Sequence, residues 1–70
     1  MDTITSEETV YSFPNGQNRV DILRVQYSSG DEYYKYRVFQ NGMPVYTSED
    51  SHETPGNLSQ KGFKWIADNL

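Results

Sequence analysis

The stretch that decides the fold is residues 19–28, Arg19-Val20-Asp21-Ile22-Leu23-Arg24-Val25-Gln26-Tyr27-Ser28. It reads as a strand, but its alternation is broken. Val20 and Ile22 share one parity, while Leu23, Val25 and Tyr27 share the other. Two arrangements accommodate this. A bulge near Ile22–Leu23 puts both sets on one face, or the strand is covered on both faces. In the second case a sheet with two apolar faces needs two covers.

Reading outward from that strand, Pro14-Asn15-Gly16-Gln17-Asn18 is turn chemistry, since Asn-Gly readily takes the positive φ of a tight turn. The preceding Thr9-Val10-Tyr11-Ser12-Phe13 is β-branched and aromatic, a short first strand. Residues 1–8 are polar apart from Met1 and Ile4, and read as a frayed tail. Downstream, Ser28-Ser29-Gly30-Asp31 turns the chain into a third strand, Glu32 to Gln40. This strand alternates cleanly, with Tyr34, Tyr36 and Val38 on one face and Tyr33, Lys35, Arg37 and Phe39 on the other. Asn41-Gly42 makes a second tight turn into Met43–Ser48, where Pro44 marks a strand start or an edge.

Glu49 to Gly56 is a polar loop. Asn57 followed by Gln60 resembles a capping box. Beyond it Leu58, Gly62, Phe63, Trp65, Ile66 and Leu70 fall within an arc of roughly 160° on a helical wheel, opposite Lys61, Lys64 and Asp68. A glycine in the middle of an apolar arc lets the helix backbone approach the sheet closely. The expected architecture is one α+β domain over residues 9–70: an antiparallel sheet of three to four strands with one C-terminal helix packed on one face. Tyr34, Tyr36, Val38, Leu23, Val25, Val45, Leu58, Phe63, Trp65, Ile66 and Leu70 are the expected core.

The second half of this pattern resembles a known family. Tyr34-Lys35-Tyr36-Arg37-Val38, Asn41-Gly42, Thr47-Ser48-Glu49, Lys61-Gly62 and Asn69 are similar to the repeat of the small bacterial YegP-like domain of unknown function. Residues 33–70 carry the likeness. The strand before the turn fits with a one-residue gap, and the loop between Glu49 and Lys61 is two residues longer here. The resemblance implies an antiparallel sheet crossed by one helix. It carries no activity, so it transfers no functional residue. Tandem repeats in that family imply that a single unit can pair with a second copy.

Composition limits the possible functions. In 70 residues there are six bases, ten acids, a net charge of −4 and no cysteine. Disulfide stapling and cysteine-based zinc sites are excluded. A chain this short has little interior, and burial against a partner adds about 25 cal/mol per Å². No apolar run approaches the roughly 18 residues of a membrane helix and no signal-peptide core follows Met1, so the expected location is cytoplasmic with no membrane contact.

Catalytic motifs are missing. His52 is the one histidine and lies in the polar loop, with no nucleophile in a G-x-S-x-G turn. Glu49, Asp50, His52 and Glu53 lack the ligand spacing of a calcium loop. No Walker lysine, G-x-G-x-x-G or H-E-x-x-H occurs. The reading is a non-enzymatic chain with no metal and no cofactor.

Binding is the remaining class. Tyr33, Lys35, Arg37 and Phe39, with Arg24 on the neighbouring strand, form an aromatic-plus-basic patch of the composition that favours protein interfaces. The expected function is a small protein-binding or adaptor domain, acting by association through the outer sheet face or a sheet edge, with a second copy of the chain as one candidate partner. A small acidic phage-type inhibitor of a host enzyme, of the anti-CRISPR or anti-defence kind, fits the same size and charge. A sheet-based nucleic-acid binder using Arg24, Lys35 and Arg37 is the alternative from another class. The net charge of −4 weighs against it, because phosphate contacts dominate such affinities.

Overall fold

A computed structural model describes residues 2–70. Four strands and one helix follow in chain order: β1 (Ile4–Asn15), β2 (Asn18–Tyr27), β3 (Glu32–Gln40), β4 (Met43–Thr47) and α1 (Pro55–Asn69). The sheet is antiparallel with spatial order β1-β2-β3-β4, and α1 packs on β2 and β3. This is the α+β architecture expected from the sequence.

Asn41 and Gly42 both take positive φ, 53° and 81°, at the β3–β4 turn. That is the backbone a two-residue hairpin of matching twist requires, and it is why Asn-Gly stands there. Thr54, not Asn57, caps the helix. Its Oγ1 accepts from the Asn57 N–H at 3.2 Å, and Pro55 opens the first turn with its φ already set. The helix therefore starts two residues before the expected cap.

β2 pairs with β3 without interruption, from Asn18 opposite Gln40 to Gln26 opposite Glu32. The irregularity lies at the expected level but in the other strand. Thr9 faces Leu23 and Tyr11 faces Ile22, so Val10 is the extra residue of a bulge in β1. β2 consequently keeps its alternation and is covered on both faces. Val20 and Ile22 lie under α1 with Tyr36, Val38 and Leu58, flanked by Val10, Tyr34, Phe63, Trp65 and Ile66. Leu23 and Val25 point to the other side, yet they are 4% and 0% exposed.

That second face is closed by the chain itself. Glu7 of β1 lies opposite Val25, and Lys35 of β3 lies opposite Leu23. Lys35 Nζ donates to Glu7 Oε2 at 3.2 Å and Arg37 Nη2 to Glu7 Oε1 at 3.1 Å, so the two ion pairs span β2 above both apolar side chains. Thr9 and Lys35 flank Leu23 and Glu7 and Tyr33 flank Val25 on that face, an arrangement in which a lysine stem lies along apolar surface while its charged head meets a carboxylate. Leu23 and Val25 are thus buried within the single chain, without a second cover.

Three further expectations need correcting. Residues 4–8 belong to β1 rather than to a frayed tail, because β2 offers them a full-length partner and the β2–β3 turn ties down Thr3 and Asp2. Val45 is exposed: it is the extra residue at the β3–β4 register shift, on an edge strand that meets the helix through the neighbouring Tyr46, which stacks on Trp65 at 4.9 Å. Leu70 is exposed because it is the C-cap, one residue past the last turn.

Candidate functional site

Four of the five expected contact residues share the outer face of β3, and each already has a partner within the chain. Lys35 and Arg37 are held by Glu7, and Arg37 Nε also donates to Thr47 Oγ1 at 3.0 Å. Phe39 carries the Arg19 guanidinium 4.1 Å above its ring centroid. Tyr33 packs edge-on to Tyr27 at 5.5 Å and lies 4.6 Å from the His52 ring. Arg24 is not with them. It sits opposite Tyr34 on the helix side of the sheet and pairs with Glu8. Sequence parity groups the β3 residues on one face and gives Arg24 the parity of Val20 and Ile22, on the other; the fact that β1 supplies the counter-charges left no local signal.

Electrostatics follow from this pairing. Burial alone would raise the Glu7 carboxyl, but the Lys35 and Arg37 charges outweigh it and hold that carboxyl below its usual value. Asp21, buried beneath the same face, accepts from Ser12 Oγ at 2.7 Å and from Arg19 Nε at 2.9 Å. Three cations thus share the face with two carboxylates, and the basic patch is largely self-neutralised.

The loop after β4 is more ordered than its composition implies. Ser48 donates its N–H to the Tyr36 carbonyl, and Ser51 exchanges two backbone hydrogen bonds of 2.8 Å with Tyr34, so the loop runs on along β3. It encloses, with the start of α1, a cleft of about 330 Å³ lined in part by Tyr36, Tyr46, Glu49 and Lys61. Asp50 accepts from the Tyr27 hydroxyl, a bond that pushes the Tyr27 pKa up to about 12. Glu53 is paired with Lys61. Among the described residues no three His, Asp or Glu side chains converge as a metal site.

The surface that sequence reasoning missed is on β1. Tyr11 and Phe13 lie opposite Ile22 and Val20, on the helix side of the sheet but beyond the two strands that the helix covers. Their rings stack on each other at 6.3 Å and 22°, and they remain 53% and 37% exposed. Among the described residues, the outer edge of β1 pairs with no other strand. Two stacked aromatics beside an open row of backbone donors and acceptors form a shelf. Their shared parity in Thr9–Phe13 was visible in the sequence. The reach of the helix was not, and that is what leaves them uncovered.

No family model, no curated protein and no solved structure matches the chain. The likeness to the YegP-like domain therefore rests on the residues quoted for it.

Proposed function

We propose that this chain is a non-catalytic binding module that engages a protein partner along the outer edge of β1, with Tyr11 and Phe13 as anchors. The observation that carries this reading is the stacked, half-exposed Tyr11–Phe13 pair on an unpaired edge strand. Monomeric proteins usually protect such edges with charges, prolines or bulges. β4, the other edge, is short, contains Pro44 and carries its own register shift. β1 is twelve residues long; it too carries register shifts, at Thr5 and Val10, and a proline, Pro14, which leave Tyr11–Phe13 as a regularly paired, proline-free stretch.

An extended partner segment with apolar side chains at alternate positions fits this surface. Its backbone adds a strand to the sheet, and its side chains cover the two rings. Removing on the order of 200 Å² of exposed aromatic surface is worth about 5 kcal/mol before the costs of association. That gross figure suits a reversible contact whose backbone hydrogen bonds supply the remainder.

The experiment is site-specific photocrosslinking in the native host. A benzophenone amino acid at Tyr11 should give one discrete crosslinked product, and the same group at Lys64, on the far side of the helix, should give none. Products of equal yield from both positions, or none from Tyr11, would remove the proposal.

A further inference from the structure

We infer that the first half of β1, residues 4–9, is an exchangeable arm that docks on the body of a second copy of this chain. The inference concerns a different part of β1 from the Tyr11–Phe13 shelf. The arm is bounded on its inner side by the Val10 bulge, where the strand departs from regular pairing. Along the arm itself no side chain is fully buried, and Ile4, its one large apolar residue, is half exposed. Polar contacts hold it. Glu7 accepts from Lys35 and Arg37, Glu8 pairs with Arg24, and Thr5 Oγ1 donates to the Gln26 carbonyl at 3.2 Å.

Charge complementarity identifies the occupant. Three of the six bases in the chain converge on two successive carboxylates. Arg24 reaches Glu8 on the helix side of the sheet, and Lys35 and Arg37 reach Glu7 on the other side. The body therefore grips the arm from both faces and reads a Glu-Glu pair in a single register. With the arm removed, Leu23 and Val25 lose their β1 neighbours Thr9 and Glu7, and three cations lose their partners. An open body thus needs an arm, and the one sequence seen to satisfy it is residues 4–9 of this chain. A second copy supplies the same arm and remakes every contact, so exchange costs only the opening at Val10 and the entropy of association.

Charge-reversed chains test this directly. In Glu7→Lys the arm repels its own body, and in Lys35→Glu/Arg37→Glu the body repels its own arm. Each variant alone should be monomeric, with fast-exchanging amides in residues 4–9. A 1:1 mixture should form a heterodimer of twice the chain mass by light scattering, with those amides protected again, because each arm then meets a body of opposite sign. A mixture that stays monomeric with both arms loose would overturn the inference. Should either variant fail to fold, the unaltered chain decides. Concentrated to millimolar at acid pH and then neutralised, it should yield a dimer that persists on dilution, and a monomer throughout would equally overturn the inference. The crosslink at Tyr11 reads the other surface and succeeds or fails independently.

Discussion

Gly62 of the helix rests directly on Val20 of β2: a Cβ built at Gly62 would lie 2.6 Å from Val20 Cγ1 and 3.1 Å from Cγ2. This helix–sheet contact thus depends on a residue having no side chain. Val20 is fully buried between Ile22 and Val38, so it has no room to yield. Glycine in a helix interior ordinarily costs about 1 kcal/mol against alanine. Here overpacking should reverse that sign. Gly62→Ala is expected to destabilise the fold by about 1–3 kcal/mol in denaturant titration. Val20→Ala made together with it should cost less than the sum of the two single changes.

The helix start gives a second, smaller test. Thr54→Ala removes the cap that receives the Asn57 N–H and should cost about 1 kcal/mol. Asn57→Ala, which leaves that backbone donor in place, should change stability by less than about 0.5 kcal/mol. Equal losses from both would return the cap to Asn57.

These two sites show how far the sequence could be read. The succession of elements along the chain, the clean alternation of β3, the Asn41-Gly42 turn and the close approach at Gly62 all follow from local chemistry, and residue spacing carries that. The helix cap was misplaced because Thr54-Pro55 and Asn57-Gln60 are both plausible starts, and only the extended backbone at Thr54 decides between them. The candidate site was harder still. That Glu7 answers Lys35 and Arg37 across β2 depends on a register set by a bulge at Val10, and no local pattern announces it. Residues 4–8 looked like a tail because their stability comes from a strand twenty residues away.

Acid should loosen that arm first. The Glu7 carboxyl is depressed in the folded chain below its unfolded value of 4.5. Its stabilising contribution is complete above that value and is lost as the pH falls through the lower folded value. Stability should therefore decline below about pH 4.5, and amides 4–9 should exchange before those of β2 and β3. Glu7→Gln should flatten this acid limb. An unchanged limb in that variant would assign the acid sensitivity to another carboxylate.

At the alkaline end Tyr27 provides a marker for the loop after β4. Its hydrogen bond to Asp50 raises its pKa to about 12, so the phenol should ionise well above the ordinary value of 10.0. Because the folded pKa is raised, the associated stability is full below pH 10 and disappears as the pH rises through about 12. Absorbance titration should resolve a late-ionising tyrosine that Asp50→Asn brings back toward 10. No late phase in the unaltered chain would show that the Tyr27–Asp50 contact does not persist in solution.

The claim on which the functional account turns is that the outer edge of β1 is where a partner binds. The most direct measurement is backbone-amide exchange of the chain, free and bound to whatever partner the Tyr11 crosslink isolates. Binding should slow exchange across Val10–Phe13 and leave β4 unchanged. Protection along β4, with β1 as open as before, would contradict it.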